Sequence, residues 1–172
     1  MRLLLANCTI RPWDLADAAS LQRHANNRKV AMHLRDRFPS PYAIEQARAF
    51  IEFVGTQPSP TVWAIEVEGE AVGGIGIELH TDVERVSAEI GYWLGESFWG
   101  RGIATEALTA VTAEAFTQFD LTRIYALPFA DNAASVRVLE KAGYVREGHL
   151  RRSAIKDGKI RDQFLFAAYK SI

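Results

Sequence analysis

Residues 87–129 read SAEIGYWLGESFWGRGIATEALTAVTAEAFTQFDLTRIYALPF, and this stretch decides the architecture. SAEIGYWLG (87–95) has the composition of a strand, GIATEALTAVTAEAFTQF (102–119) carries apolar residues at helical spacing, and RIYALPF (123–129) is strand-like again. Strand, helix and strand in that order make one β-α-β unit, which brings a parallel pair into the middle of the sheet. Between the first strand and the helix stands Trp99-Gly100-Arg101-Gly102-Ile103-Ala104. Two glycines within three residues let the backbone turn tightly with no Cβ in the way, so several N–H groups can point outward together. The helix that follows adds the partial positive charge of its N-terminus, and the two together can hold a phosphate or pyrophosphate without a lysine.

Working outward from that unit, the N-terminal half reads mainly as antiparallel sheet with two early helices. Residues 2–11 suit a strand, and Asp14 is an N-cap candidate before the helical pattern Leu15, Ala18, Ala19, Leu21, Ala25. RDRFPSPY (35–42) cannot be one helix because of Pro39 and Pro41, and a second helix runs from about Ile44 to Val54. TVWAIEV (61–67) and AVGGIGIEL (71–79) flank a turn at Gly69 and predict a hairpin. Beyond residue 129, a helix from Asn132 to Ala142 stops at Gly143, and YVREGHLRRS leads to a last strand QFLFAAY (163–169). The class is α+β with a mixed, mostly antiparallel sheet, in a single domain covering 1–172.

Composition narrows the function. The 172 residues can bury roughly 70% of their unfolded surface in one core. With 20 Lys and Arg against 21 Asp and Glu the net charge is -1, without the basic excess of a nucleic-acid binder. Cys8 stands alone, so no internal disulfide forms, and no Cys or His group has zinc-ligand spacing, which predicts a metal-free, cytoplasmic protein. The short apolar run near Met1 is well below the roughly 20 residues of a membrane span, so no membrane partner is expected.

For the glycine loop, two phosphate-binding patterns fail. A Walker loop needs Lys and then Ser or Thr after its last glycine, where Ile103 and Ala104 stand; a dinucleotide fingerprint needs Gly or Ala where Thr105 stands. Taken by itself, the segment is also open to a turn that uses glycine for geometry alone.

WGRGIATEAL resembles motif A of the GNAT (GCN5-related) N-acetyltransferases, whose R/Q-x-x-G-x-G/A loop holds the pyrophosphate of acetyl-CoA. Trp99 departs from the usual Gln or Arg, and the form with Trp is similar to the branch of ribosomal-protein N-terminal (alanine/serine) acetyltransferases. Asn132 to Tyr144, NAASVRVLEKAGY, resembles motif B, N-x-x-S followed by a helix ending in E-K-x-G-F/Y. The resemblance implies the GNAT fold: six or seven strands, about four helices, and a V-shaped splay between the fourth and fifth strands, here about Ser87 to Leu94 and Arg123 to Phe129. It implies acetyl-CoA as cosubstrate, held by Tyr92, Trp93, Leu94, Trp99, Gly100, Arg101, Gly102, Ile103, Ala104, Thr105, Asn132, Ser135 and Lys141, with a bulge at Leu94-Gly95. It also implies direct attack of a primary amine, from a peptide N-terminus or a small molecule, on the thioester.

An ammonium cannot attack, so a base must take its proton. Alternation puts Glu89, Gly91 and Trp93 on one strand face, which makes Glu89 the candidate base; a solvated surface carboxylate is the plain alternative. The acid of many relatives, a tyrosine four residues before the motif B glycine, is replaced by Leu139, and Ser135 is the hydroxyl best placed instead. Arg35, Phe38 and Glu89 are the acceptor-side candidates, within RDRFPSPY and near HLRRSAIKDGKIRDQ (149–163). Homodimers are frequent among proteins of this resemblance, which leaves a homodimer open as the assembly, and a non-catalytic CoA-binding module on the same fold is the other functional reading.

Overall fold

A computed structural model of the chain describes residues 1–170. In chain order the elements are β1 (Leu3–Leu4), β2 (Thr9–Arg11), α1 (Ala18–Ala25), α2 (Arg28–Ala31), α3 (Ile44–Gly55), β3 (Val62–Val67), β4 (Glu70–Leu79), β5 (Ser87–Leu94), α4 (Ile103–Gln118), β6 (Arg123–Ala126), α5 (Ala133–Lys141), β7 (Val145–Lys156) and β8 (Lys159–Tyr169). The eight strands follow the order β1-β2-β3-β4-β5-β6-β8-β7, with β5 and β6 parallel as the β-α-β reading requires. Strands and helices are each more numerous than expected. The predicted strand at 2–11 is two short antiparallel strands, folded back by a turn in which Leu5 N–H donates to Cys8 O at 2.9 Å. At the other end, residues 145–156 form a strand where the sequence suggests only a lead-in to the last one. Its partner β8 joins it through Asp157-Gly158, both at positive φ, the geometry of a two-residue hairpin turn.

The described residues group into two compact units. The first comprises Met1–Gly76 and Tyr92–Ala107, the second Ile77–Gly91 and the chain from Leu108 onward. In the first unit, α1 buries Ala18, Leu21 and Ala25 and α3 buries Ala47 and Ile51, the spacing of one helical face each. Trp13, Phe38, Phe50 and Trp93 pack on that cluster. Asp14 caps as predicted, accepting from Ala16 N–H at 2.8 Å, but the turn it opens is a 3-10 turn, Leu15–Asp17, that leads into α1.

Asp17 does more than complete that cap. Its carboxylate takes two bonds from the Arg11 guanidinium, 2.7 and 2.8 Å, and both side chains are buried; Glu66 holds the Arg11 Nε. Removing one partner of a buried pair leaves an uncompensated charge, a cost of about 3–5 kcal/mol. With Glu66 still in place, Asp17→Ala is expected at the low end, about 3 kcal/mol, which for a chain of this size lowers Tm by about 10 °C. A loss of less than about 1 kcal/mol in the stability read from urea unfolding would show the pair to be solvent-screened.

The glycines of β4 have packing causes. A Cβ on Gly73 would lie 2.5 Å from Trp93 O, and one on Gly74 2.8 Å from Trp93 Nε1. In the second unit β6 alternates, burying Ile124 and Ala126 on one face, and pairs with β8 from Arg123↔Tyr169 to Ala126↔Phe166. The parallel ladder between β5 and β6 covers Ser87↔Arg123, Ala88↔Ile124 and Glu89↔Tyr125. The expected splay belongs at this strand pair, and its ladder stops at Glu89 although β5 runs on to Leu94.

Candidate functional site

In the first unit the site candidates lie at the end of β5 and in the loop that enters α4. Gly95 N–H donates to Val72 O at 2.8 Å, and His80 N–H donates to Ser87 O at 3.2 Å. Both pairs keep the same offset, eight residues apart on each strand, so β5 gains no extra residue against β4 up to Gly95. The bulge expected at Leu94-Gly95 is therefore not in this ladder. Gly95 has another cause: a Cβ there would lie 2.8 Å from His24 Nδ1.

After Gly95 a 3-10 turn, Glu96–Phe98, carries the chain to Trp99. The indole N–H of Trp99 donates to Leu94 O at 2.7 Å, tying the loop to the last carbonyl of the strand. Gly100 and Gly102 then take φ of +75° and +79°, the left-handed region that a side chain resists, and neither has an atom near where a Cβ would sit. Backbone conformation, and not crowding, requires glycine at both. Helix α4 follows, with Glu106 N–H donating to Gly102 O at 3.0 Å. A helix leaves its first N–H groups without intrahelical acceptors, which at Ile103 and Ala104 gives donors beside the glycine turn.

The Arg101 guanidinium lies 5.2 Å from the centre of the Phe98 ring, and Phe98 meets His24 edge-on at 5.5 Å. His24 Nε2 is 2.5 Å from Glu70 Oε1, and Arg23 also reaches that carboxylate. His24, more than Arg23, holds the Glu70 carboxyl below its usual range. An open cavity of 440 Å³, lined by Arg23, His24, Asn27, Glu96 and Ser97, lies in the same unit. At the first turn of α4 the Glu106 carboxylate accepts from the backbone N–H groups of Ala6 and Asn7, at 2.8 and 3.0 Å. Burial, with Glu106 adding to it, pushes the Cys8 thiol up to about 11, so the lone cysteine is an inert core group.

Of the acceptor-side candidates in this unit, Phe38 packs edge-on against Trp93 at 5.5 Å and Tyr42 at 5.0 Å, so its ring is part of the apolar cluster. Arg35 is exposed. Trp93 shares that cluster, Tyr92 is half-buried, and Leu94 is buried.

In the second unit Glu89 is half-buried on β5, and Tyr125 of β6 is its ladder partner. Sequence reading passed over what surrounds Tyr125. Its hydroxyl is 3.0 Å from His80 Nε2, and the Arg123 guanidinium sits 4.8 Å from its ring centre while pairing with Glu147 at 2.5 Å. The alternation of RIYALPF was the available signal, since it puts Arg123 and Tyr125 on the face opposite Ile124.

Asn132 opens α5 as a cap: its side-chain oxygen accepts from Ser135 N–H at 3.1 Å. That bond uses the oxygen for the helix start, so a ligand would find the amide N–H₂ of Asn132. Ahead of it, Arg161 pairs with Asp131 and lies 3.8 Å from the Phe129 ring centre, which anchors the α5 entry to β8. Ser135 is half-buried and Lys141 exposed. Leu139 is fully buried, so its position is a core position in this chain. Nor does Tyr144 replace the missing acid, because its buried hydroxyl bonds Thr112 Oγ1 at 2.7 Å. Gly143, at φ +85°, ends the helix, and Tyr144 N–H donates back to Leu139 O at 3.0 Å. Among the described residues no group of His, Cys, Asp and Glu could hold a metal ion, and no helix is long and apolar enough to cross a membrane.

Comparison with known proteins gives this arrangement relatives. An uncharacterized N-acetyltransferase, p20 of Bacillus licheniformis, is 29% identical over 168 residues, 94% of this chain and 92% of that protein. The ribosomal-protein-serine acetyltransferase of Escherichia coli (strain K12) is 32% identical over 100 residues, 58% of this chain and 55% of its own. The solved structure of Mycobacterium smegmatis RimJ in complex with CoA-disulfide matches with a TM-score of 0.84 at 30% identity, covering 94% of this chain and 81% of that one. Residues 7–145 match the family described as the acetyltransferase (GNAT) domain. That span takes in both the glycine loop before α4 and the Asn132 cap of α5, and the chain belongs to the GNAT acetyltransferase family.

Proposed function

We propose that the protein is an acetyl-CoA-dependent N-acetyltransferase that acetylates a primary amine by direct attack on the thioester. The observation that carries this reading is the pair of left-handed glycines, Gly100 and Gly102, at the N-terminus of α4. Consecutive turns of this kind suit backbone N–H groups gathered on one side, no neighbouring atom crowds either glycine, and the CoA disulfide in the RimJ structure supports the same ligand class. The pyrophosphate takes the N–H groups of Gly102, Ile103 and Ala104, with charge-assisted bonds each about 1.5–3 kcal/mol strong.

Glu89 takes the proton from the acceptor ammonium, and the free amine attacks the acetyl carbon. The tetrahedral intermediate then expels the thiolate, and the surplus proton still on the attacking nitrogen passes through solvent to the departing sulfur, while the first proton leaves Glu89 to water. Backbone N–H groups at the end of β5 are the fixed donors for the developing oxyanion. With Leu139 in the core, Ser135 is the hydroxyl of α5 assigned to the departing thiolate. A serine hydroxyl holds its proton too tightly to be a strong acid and acts by donating a hydrogen bond. Ser135→Ala is accordingly expected to lower kcat by less than about tenfold with the Kd for CoA unchanged, measured by single-turnover kinetics and calorimetry. A kcat equal to that of the parent would remove Ser135 from the reaction.

The buried Leu139 also favours a second reading, a CoA-binding module without turnover. Release of free thiol from acetyl-CoA separates the two when it is followed with N-terminal peptides, polyamines and aminoglycosides as acceptors. Turnover with any of them establishes the enzyme. A CoA-dependent rise in Tm without thiol release would establish the module.

A further inference from the structure

The glycines in and beside the β4 and β5 strands have local causes, with one exception. A Cβ at Gly73 would meet Trp93 O at 2.5 Å, at Gly74 Trp93 Nε1 at 2.8 Å, at Gly76 Thr61 O at 3.0 Å, and at Gly95 His24 Nδ1 at 2.8 Å. At Gly91 it would meet nothing within 4 Å, and the backbone there is not left-handed. Gly91 is exposed in the interior of β5, where glycine weakens a strand and any β-branched residue would serve better. A strand glycine without a turn, a bulge or a tight neighbour marks a place where a ligand comes close to the backbone.

Its position indicates which ligand. Gly91 shares a strand face with Glu89, two residues and about 6.7 Å away along β5. It also lies past the point where the ladder with β6 ends, at Glu89↔Tyr125. A molecule that brings an amine to the Glu89 carboxylate along this face from the Leu94 end of β5, where the cosubstrate loop begins, passes over Gly91.

We propose that Gly91 sets the size of the group an acceptor can carry next to its amine, by leaving open the strand surface beside Glu89. This rests on the reading of the protein as an N-acetyltransferase with Glu89 at the amine.

The test is the kinetics of Gly91→Ala and Gly91→Val with whichever of spermidine and glycyl-, seryl- and leucyl-peptides the parent enzyme turns over best. One added methyl in a close-fitting site changes kcat/KM by 10-fold or more. The expected result is a loss of about tenfold in kcat/KM for the acceptor with Ala and at least about 100-fold with Val. KM for acetyl-CoA stays within about twofold, and Tm is equal to or above that of the parent. A purely structural glycine would give the same or higher Tm with unchanged kinetics, and that outcome overturns the proposal. So does a rise in KM for acetyl-CoA in place of the acceptor effect, which would give the open surface to the cosubstrate, and so does a fall in Tm, which would mean the space is filled. Failure of the parent protein to turn over any amine overturns the N-acetyltransferase reading itself and this proposal with it, whereas turnover that Gly91→Ala leaves untouched overturns this proposal alone.

Discussion

Gly102→Val is expected to weaken acetyl-CoA binding by about 10³-fold, equivalent to about 4.1 kcal/mol. Gly102 holds φ at +79° immediately before α4, a region where a side chain costs about 1–2 kcal/mol and a β-branched one more. The loop can relieve that strain only by turning out of the left-handed conformation. Doing so swings the N–H groups away from their common direction, and the pyrophosphate loses one or two bonds of about 1.5–3 kcal/mol each. With the strain relieved in that way, two lost bonds, about 3–6 kcal/mol together, account for the three decades.

Two causes predict the same loss with Val: the positive φ, and a Cβ that collides with the bound phosphate. Asparagine separates them, because it tolerates the left-handed conformation while still carrying a Cβ. Gly102→Asn is expected to bind within about tenfold of the parent if φ is the requirement. Calorimetric titration with CoA reads both variants, and Val and Asn equally damaging would assign the loss to the Cβ. If Gly102→Val bound CoA as tightly as the parent, the loop would be a turn that uses glycine for geometry alone.

Glu89→Gln is expected to reduce kcat/KM for the acceptor by about 10³-fold at neutral pH, in the middle of the range for removing a general base. Glutamine keeps the shape and much of the hydrogen bonding but cannot accept a proton from an ammonium, so Tm and CoA binding should not move. The pH profile carries the diagnosis. As pH rises toward the ordinary range of an aliphatic amine, more acceptor arrives already deprotonated, and the deficit of Glu89→Gln should shrink. A deficit of constant size from neutral to alkaline pH would mean that Glu89 orients the amine and some other group, or water, takes the proton. The Tyr125 hydroxyl, held by His80 on the ladder partner of Glu89, is the first place to look in that event.

The site was legible in the sequence where the chemistry is local. Gly100 and Gly102 stood out because two glycines before a helix have few purposes, and both do take positive φ. Asn132 was an evident cap, and its oxygen does bond Ser135 N–H. The β7 and β8 hairpin was harder to read. VREGHLRRSAIKDGKI is charged and lacks a clean alternation, because shifts in register at Arg146/Gly148 and Leu150/Ala154 break the two-residue period. Its Asp157-Gly158 turn was the one visible sign. The predicted opening strand was lost for a similar reason: a four-residue turn inside 2–11 has no glycine or proline to announce it.

By itself the sequence determined the β-α-β unit, the glycine turn and the capped helix after it, since each depends on the conformational preferences of residues close together in the chain. Tertiary structure alone decided the meaning of the glycines in β4 and β5. In sequence Gly73, Gly74, Gly91 and Gly95 are alike, yet three are forced by Trp93 and His24 pressing on the backbone and one is left open. Tertiary structure also decided that Tyr125 stands beside Glu89 with His80 on its hydroxyl. Those facts depend on which atoms meet across strands distant in sequence, and the pattern of residues along the chain carries no record of such a meeting until the sheet has formed.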